Sequence, residues 1–166
     1  MHLVAELRRM KKVMMTVMAA VVCLTMSAEK NTVIPAMGSA EQTVVKMLGA
    51  PVEVLSDGNE VVYHNISYKG TRWDRAVIIY QQAGDLKVMK SVTLSEPCRN
   101  AQEAFDLNVG LQQQLRREYG WLDNNAESQG WMTCQGGEAF GNGSRYAFTL
   151  STQKQGKTNV VSLALY

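Results

Sequence analysis

His64 is the one histidine that follows the N-terminal apolar run, and imidazole is the side chain best suited to acid–base work near neutral pH. It falls in the β-branched and aromatic run Val61–Tyr68, beside Tyr63 and Asn65. On a strand, alternate residues share a face, so His64 is expected on the side of Val62 and Ile66, away from Tyr63, as a structural or surface histidine. The carboxylates Asp74 and Asp85 fall on separate predicted strands. Glu103 and Asp106 fall on a predicted helix, where solvent exposure is their ordinary use, so no carboxylate pair for acid–base catalysis is specified. Gly136–Gly143, GGEAFGNG, has the glycine content of a phosphate loop. It lacks the Lys-Ser/Thr ending and opens no helix, so a flexible hairpin is expected.

Sulfur chemistry is equally sparse. Cys23 lies in the apolar run, with Val22 before it and Ala20 three before it, a poor match to a lipidation site. Cys98 and Cys134 follow. In an exported chain two cysteines allow one intramolecular disulfide, worth about 3–4 kcal/mol through loop entropy; two separate buried thiols are the alternative. The cysteines are too far apart, and histidine too scarce, for a metal site. No metal, no cofactor and no enzymatic activity are expected.

The aromatic residues point to recognition. Tyr63, Trp73 and Tyr80 come from two adjacent predicted strands, Trp131 from a later one, and Arg75 lies between Trp73 and Tyr80. Tyr, Trp and Arg dominate binding hot spots, so these five are the expected partner-binding residues; filling the space between helix and sheet is the competing use of the large rings.

Composition limits the partner. Arg8, Arg9, Lys11 and Lys12 precede the uncharged run Val13–Met26, and Ser27-Ala28 precede a polar stretch, the layout of a secretory signal peptide over 1–28. That run is short for a bilayer span, so no stable transmembrane segment is expected after export to the periplasm or beyond, with outer-membrane association compatible. Removing 1–28 takes four of 17 basic residues and one of 15 acidic ones, leaving 13 against 14. A near-neutral surface has no basic stripe for nucleic acid.

The elements that must position these residues read as two similar halves. A shift of 71 places Gly49 on Gly120, Ala76 on Ala147, Gln82 on Gln153, Ser91 on Ser162 and Leu94 on Leu165. After a linker over 29–38, Ser39 caps a short helix, Ala40–Leu48, stopped by Gly49. Strands Val61–Tyr68, Arg72–Gln81 and Leu86–Leu94 follow, separated by turns at Gly70 and Gly84. Ser95-Glu96-Pro97 is expected to open a long helix running to Tyr119, with Ala104, Leu107, Leu111 and Leu115 as its apolar stripe. Strands Gly130–Gln135, Arg145–Thr152 and Asn159–Tyr166 complete the chain. The expected fold is α+β: one domain over 39–166 built from tandem α-βββ units, 39–94 and 95–166, with helices packed on one face of an antiparallel sheet.

The helix end Leu48-Gly49-Ala50-Pro51, the strands VVYHNISYKGTRWDRAVIIYQ and the closing LKVMKSVTL resemble the β-lactamase-inhibitor-protein-like fold, with its tandem α-β-meander build. The same helix end is similar to that of the small lipoprotein of the outer-membrane barrel-assembly machinery. The chain departs from the former in having one cysteine pair where two disulfides are usual. The resemblance implies a curved sheet backed by helices, with the other side free for a partner. The expected function is therefore protein binding in the envelope or outside the cell, as inhibitor or scaffold. A lipid or cell-wall fragment bound in the curve of the sheet is the alternative.

Overall fold

The computed structural model describes residues 33–124, 131–138 and 146–166. The signal region 1–28 with Cys23, and most of the glycine-rich stretch 136–143, lie outside them. The described elements are α1 (Glu41–Leu48), β1 (Glu53–Leu55), a 3-10 turn (Ser56–Gly58), β2 (Glu60–Tyr68), β3 (Thr71–Ala83), β4 (Leu86–Cys98), α2 (Ala101–Tyr119), β5 (Leu122–Asp123), β6 (Met132–Gly136), β7 (Phe148–Gln155) and β8 (Thr158–Leu165).

Turn chemistry sets the hairpins. Tyr68 pairs with Thr71 around Lys69 and Gly70, both at positive φ (51° and 73°), a turn whose twist matches that of the strands. Ala83 pairs with Leu86 around Gly84-Asp85, and Gln155 with Thr158 around Gly156-Lys157, each with its glycine at positive φ. Gly49 (φ 88°) and Gly120 (φ 79°) stop the helices; each donates its N–H to the carbonyl four residues back, on Val45 and Arg116.

The strands form one open antiparallel sheet in the order β1-β2-β3-β4-β8-β7-β6-β5. Each half therefore supplies four strands rather than three, and β4 meets β8 at the centre. The short outer strands β1 and β5 carry no alternating apolar pattern and exist through one-sided pairing with β2 and β6. Ser95-Glu96-Pro97 belongs to β4, not to a helix start: Ser95, Glu96 and Pro97 pair with Ser162, Val161 and Val160. The β3 ladder ends at Arg75–Ser95, so Pro97 sits where β4 has only one strand neighbour, the position a proline tolerates. Asn100 is the true cap of α2. Its Oδ1 accepts from the Glu103 N–H (2.9 Å), while the Glu103 carboxylate accepts from the Arg99 N–H (2.7 Å).

One continuous buried cluster joins Val44 of α1 and Ala104, Leu111 and Leu115 of α2 to alternate strand residues: Ala76, Ile78, Val92, Leu94, Phe148, Leu150, Leu163 and Leu165. Asn108 is the polar exception on α2. Fully buried, it donates to Thr152 Oγ1 (2.8 Å) and to the Met132 carbonyl (3.2 Å), and accepts from Gln112 Nε2 (2.7 Å), which satisfies the cost of burying an amide.

Two irregularities mark the edge where α1 meets β4. Ile79 pairs with Ser91 but Tyr80 with Met89, so Lys90 bulges out of register. Beside the bulge Met89 donates its N–H to Ser39 O and accepts from Gly38 N–H, and Ala40 bridges Val88. With Ile34 and Pro35 buried as well, residues 34–38 of the expected linker are packed onto the domain.

Cys98 and Cys134 are separate, buried, free thiols, which corrects the expected disulfide. They lie on β4 and β6 with β8 and β7 between, three strand spacings or about 14 Å, where a disulfide needs Cα atoms within about 7 Å.

The sheet face opposite the core

Alternation breaks on β2 and β3 at one level, and this break decides which aromatic residues reach the surface. Asn65 takes a positive φ (57°) inside β2. Across from it, Asp74 gives its N–H to the Glu96 carboxylate (2.7 Å) instead of a strand carbonyl. Two residues separate the buried Tyr63 from the buried Ile66, and two separate Trp73 from Ala76, where alternation would leave one. His64 thus shares a side with Val62 but not with Ile66, and Trp73 turns into the core.

Tyr63, Trp73 and Tyr80, expected on the open side, are 3%, 0% and 4% exposed and belong to the core cluster. Trp73 Nε1 donates to the Tyr68 carbonyl (3.1 Å), and the Tyr63 hydroxyl to Gly49 O (3.2 Å), tying the end of α1 to the sheet. The Tyr80 hydroxyl is buried with no hydrogen-bond partner among the described residues. Burial raises the pKa of both tyrosines; the Glu41 charge adds to this, and at Tyr80 so does its neighbour Tyr63. Arg75 is half-buried and Trp131 is 47% exposed, so these two of the five expected residues are accessible.

The register shows what occupies the other face. One row crosses the sheet from Glu53 through Val62, Val77 and Thr93. It continues through Ala164, Thr149 and Gln135 to Asp123. The next row runs His64, Arg75, Ser95, Ser162, Ser151, Thr133. Ser95 Oγ and Ser162 Oγ stand 3.5 Å apart where the two halves meet. The centre of this face carries short hydroxyl, methyl and amide groups, with acids only at the outer ends of its first row. Sequence reasoning missed it because Ser and Thr in a strand carry no hot-spot signal; their two-residue spacing in Ser91-x-Thr93-x-Ser95 was the available clue.

His64 does not combine with these hydroxyls. Its Nδ1 donates to the Asp74 carbonyl (2.9 Å), and Arg75 stands between it and Ser95, two strand spacings or about 10 Å away. Among the described residues no three of His, Cys, Asp and Glu group as metal ligands.

A cleft of about 630 Å3 opens where β3, the end of β4 and the start of α2 meet, lined by Arg72, Glu96, Cys98, Arg99, Glu103 and Asp106 among others. Its polar groups are engaged by their neighbours: Arg72 donates to Asn65 Oδ1 (3.2 Å), Glu96 accepts from the Asp74 N–H and Glu103 from the Arg99 N–H. Burial raises the Cys98 thiol pKa, with Glu103 and Glu96 adding to it, and raises that of Cys134 to about 11. Both are therefore protonated, poor nucleophiles at neutral pH.

No family model, curated protein or solved structure matches this chain.

Proposed function

We propose that the chain is an exported, non-enzymatic binding protein, built from two copies of an α-ββββ unit with both helices behind the sheet, whose open face docks another protein of the envelope or its surroundings. Support for the copying lies in the register. The 71-residue offset that carries Gly49 to Gly120 also carries the buried Val44 to the buried Leu115. The core partner of Leu94 is Ala76 and that of Leu165 is Phe148, so β3 and β7 correspond at 72 rather than 71. Lys90 is the extra residue that changes one offset into the other. Aligning Ala76 with Ala147 at a uniform 71 sets residues of opposite faces against each other.

The observation that carries the function is the small-residue, nearly uncharged centre of the open face. Such a surface lets a partner's backbone or protruding loop approach closely with little charge desolvation. Arg75 and Trp131, at its margin, are the residue types that anchor contacts.

The test is capture from envelope extracts with the wild-type domain and with Thr93→Lys/Ala164→Lys, both monitored for native folding. Proteins retained by the wild type and lost by the variant support docking on this face. Equal retention of every captured protein by both overturns it.

A further inference from the structure

A second cavity has a lining of another kind. A cleft of about 410 Å3 opens where the N-terminal segment, the end of α2 and the last strand meet. Met37 and Leu165 give it apolar walls, and Tyr68, Tyr119 and Tyr166 give it three phenol rings. Among the described residues of the lining Glu138 is the one acidic group, and none is Lys, Arg or His.

The chain is shaped to keep this space. Gly137 has φ 68°, and a Cβ there would lie 2.6 Å from Tyr119 Cδ1 and 2.8 Å from Ala147 Cβ. Glycine lets the Tyr119 ring lie against the backbone, where it also packs on Phe148 (centroids 5.1 Å apart, planes at 44°), and it presents Glu138 at the next position. The Tyr68 ring already has an ammonium 5.2 Å from its centroid, that of Lys69, whose charge is met by an ion pair with Glu118.

Volume and lining are those of a small-molecule site: mostly apolar, with a few polar groups to fix orientation. The charge complement is specific. A carboxylate sharing a lining with three phenol rings, and no cation among the described lining residues, favours a cationic ligand over an anionic one. We propose that this cavity binds a small amphiphilic amine, its apolar body against Met37 and Leu165 and its ammonium at Glu138 and the tyrosine rings. This site is independent of the open sheet face, so loss of either proposal leaves the other standing.

The experiment titrates the full chain with n-octylamine, n-octanol and octanoate below their micellar concentrations, following the Met37 and Leu165 methyl resonances. Octylamine is expected to shift both methyls and to bind about five- to ten-fold more tightly than octanol, with octanoate weakest. In Glu138→Gln, a change at an exposed position, octylamine should fall to the affinity of octanol while octanol is unchanged. Absence of octylamine binding, octanoate binding as well as octylamine, shifts confined to other residues, or an undiminished amine preference in Glu138→Gln each overturns the assignment.

Discussion

Thr93 and Ala164 face each other across the β4–β8 seam and lie 71 positions apart, the interval that also separates the helix-stopping Gly49 and Gly120. On the proposed duplication, this pair marks the local two-fold axis between the halves, with Ser95 and Ser162 paired beside it.

Trp73 and Trp131 should behave as opposites. Trp73→Ala empties a fully buried site and removes the bond to the Tyr68 carbonyl, so a loss of about 3–5 kcal/mol is expected in denaturant unfolding. Trp131→Ala should stay within about 0.5 kcal/mol. Comparable losses would place Trp131 in the core as well.

The two buried tyrosines give a paired test. Tyr63→Phe removes a bond to Gly49 O and should cost about 1 kcal/mol, whereas Tyr80→Phe removes an unsatisfied hydroxyl and should be neutral or stabilising by up to about 1 kcal/mol. A clear loss at Tyr80→Phe would show that its hydroxyl has a partner.

The thiols should be silent until the protein unfolds. Cys98 and Cys134 are expected to resist iodoacetamide near neutral pH in the native state and both to react in denaturant, with no change in Tm on adding a reductant. A Tm lowered by reductant would mean that they are bonded.

Glu96 sets a pH dependence. Burial raises its pKa above the ordinary 4.5 despite the opposing hydrogen bond from Asp74 N–H. The folded state then holds its proton to higher pH than the unfolded state. The stability this gives is fully present below 4.5 and is lost as pH rises through the raised folded value. Glu96→Gln does not titrate, so it should gain on the wild type between about pH 4 and about pH 7, by under about 1 kcal/mol after screening. A gap between the two proteins that does not change across this range would contradict the shift.

Much of the fold was legible because short-range signals carried it. The glycines at 70, 84 and 156 fixed three hairpins, and Gly49 and Gly120 fixed two helix ends. Within the α2 stripe, Ala104, Leu111 and Leu115 are buried and Leu107 is half-buried. Long-range pairing hid the rest. Ser95-Glu96-Pro97 has the local character of a helix start, yet three partners on β8 hold it as strand. Residue type marked Trp73 for binding, and the break at Asn65 and Asp74 turns it into the core. Of the expected binding residues Arg75 and Trp131 are accessible, while the hydroxyl rows at the centre had no compositional signature.

The central seam also orders assembly. Thr93–Ala164 and its neighbours join the middle of the domain to its last strand, 71 residues on, whereas the β2–β3, β3–β4 and β7–β8 pairs each close over a two-residue turn. Loop-closure entropy favours such local pairs first, so each half can zip into a meander early. Joining the halves then becomes the slow step, and a linker variant that lengthens the path from β4 to β5 would be felt in the refolding rate before it is felt in the melting temperature.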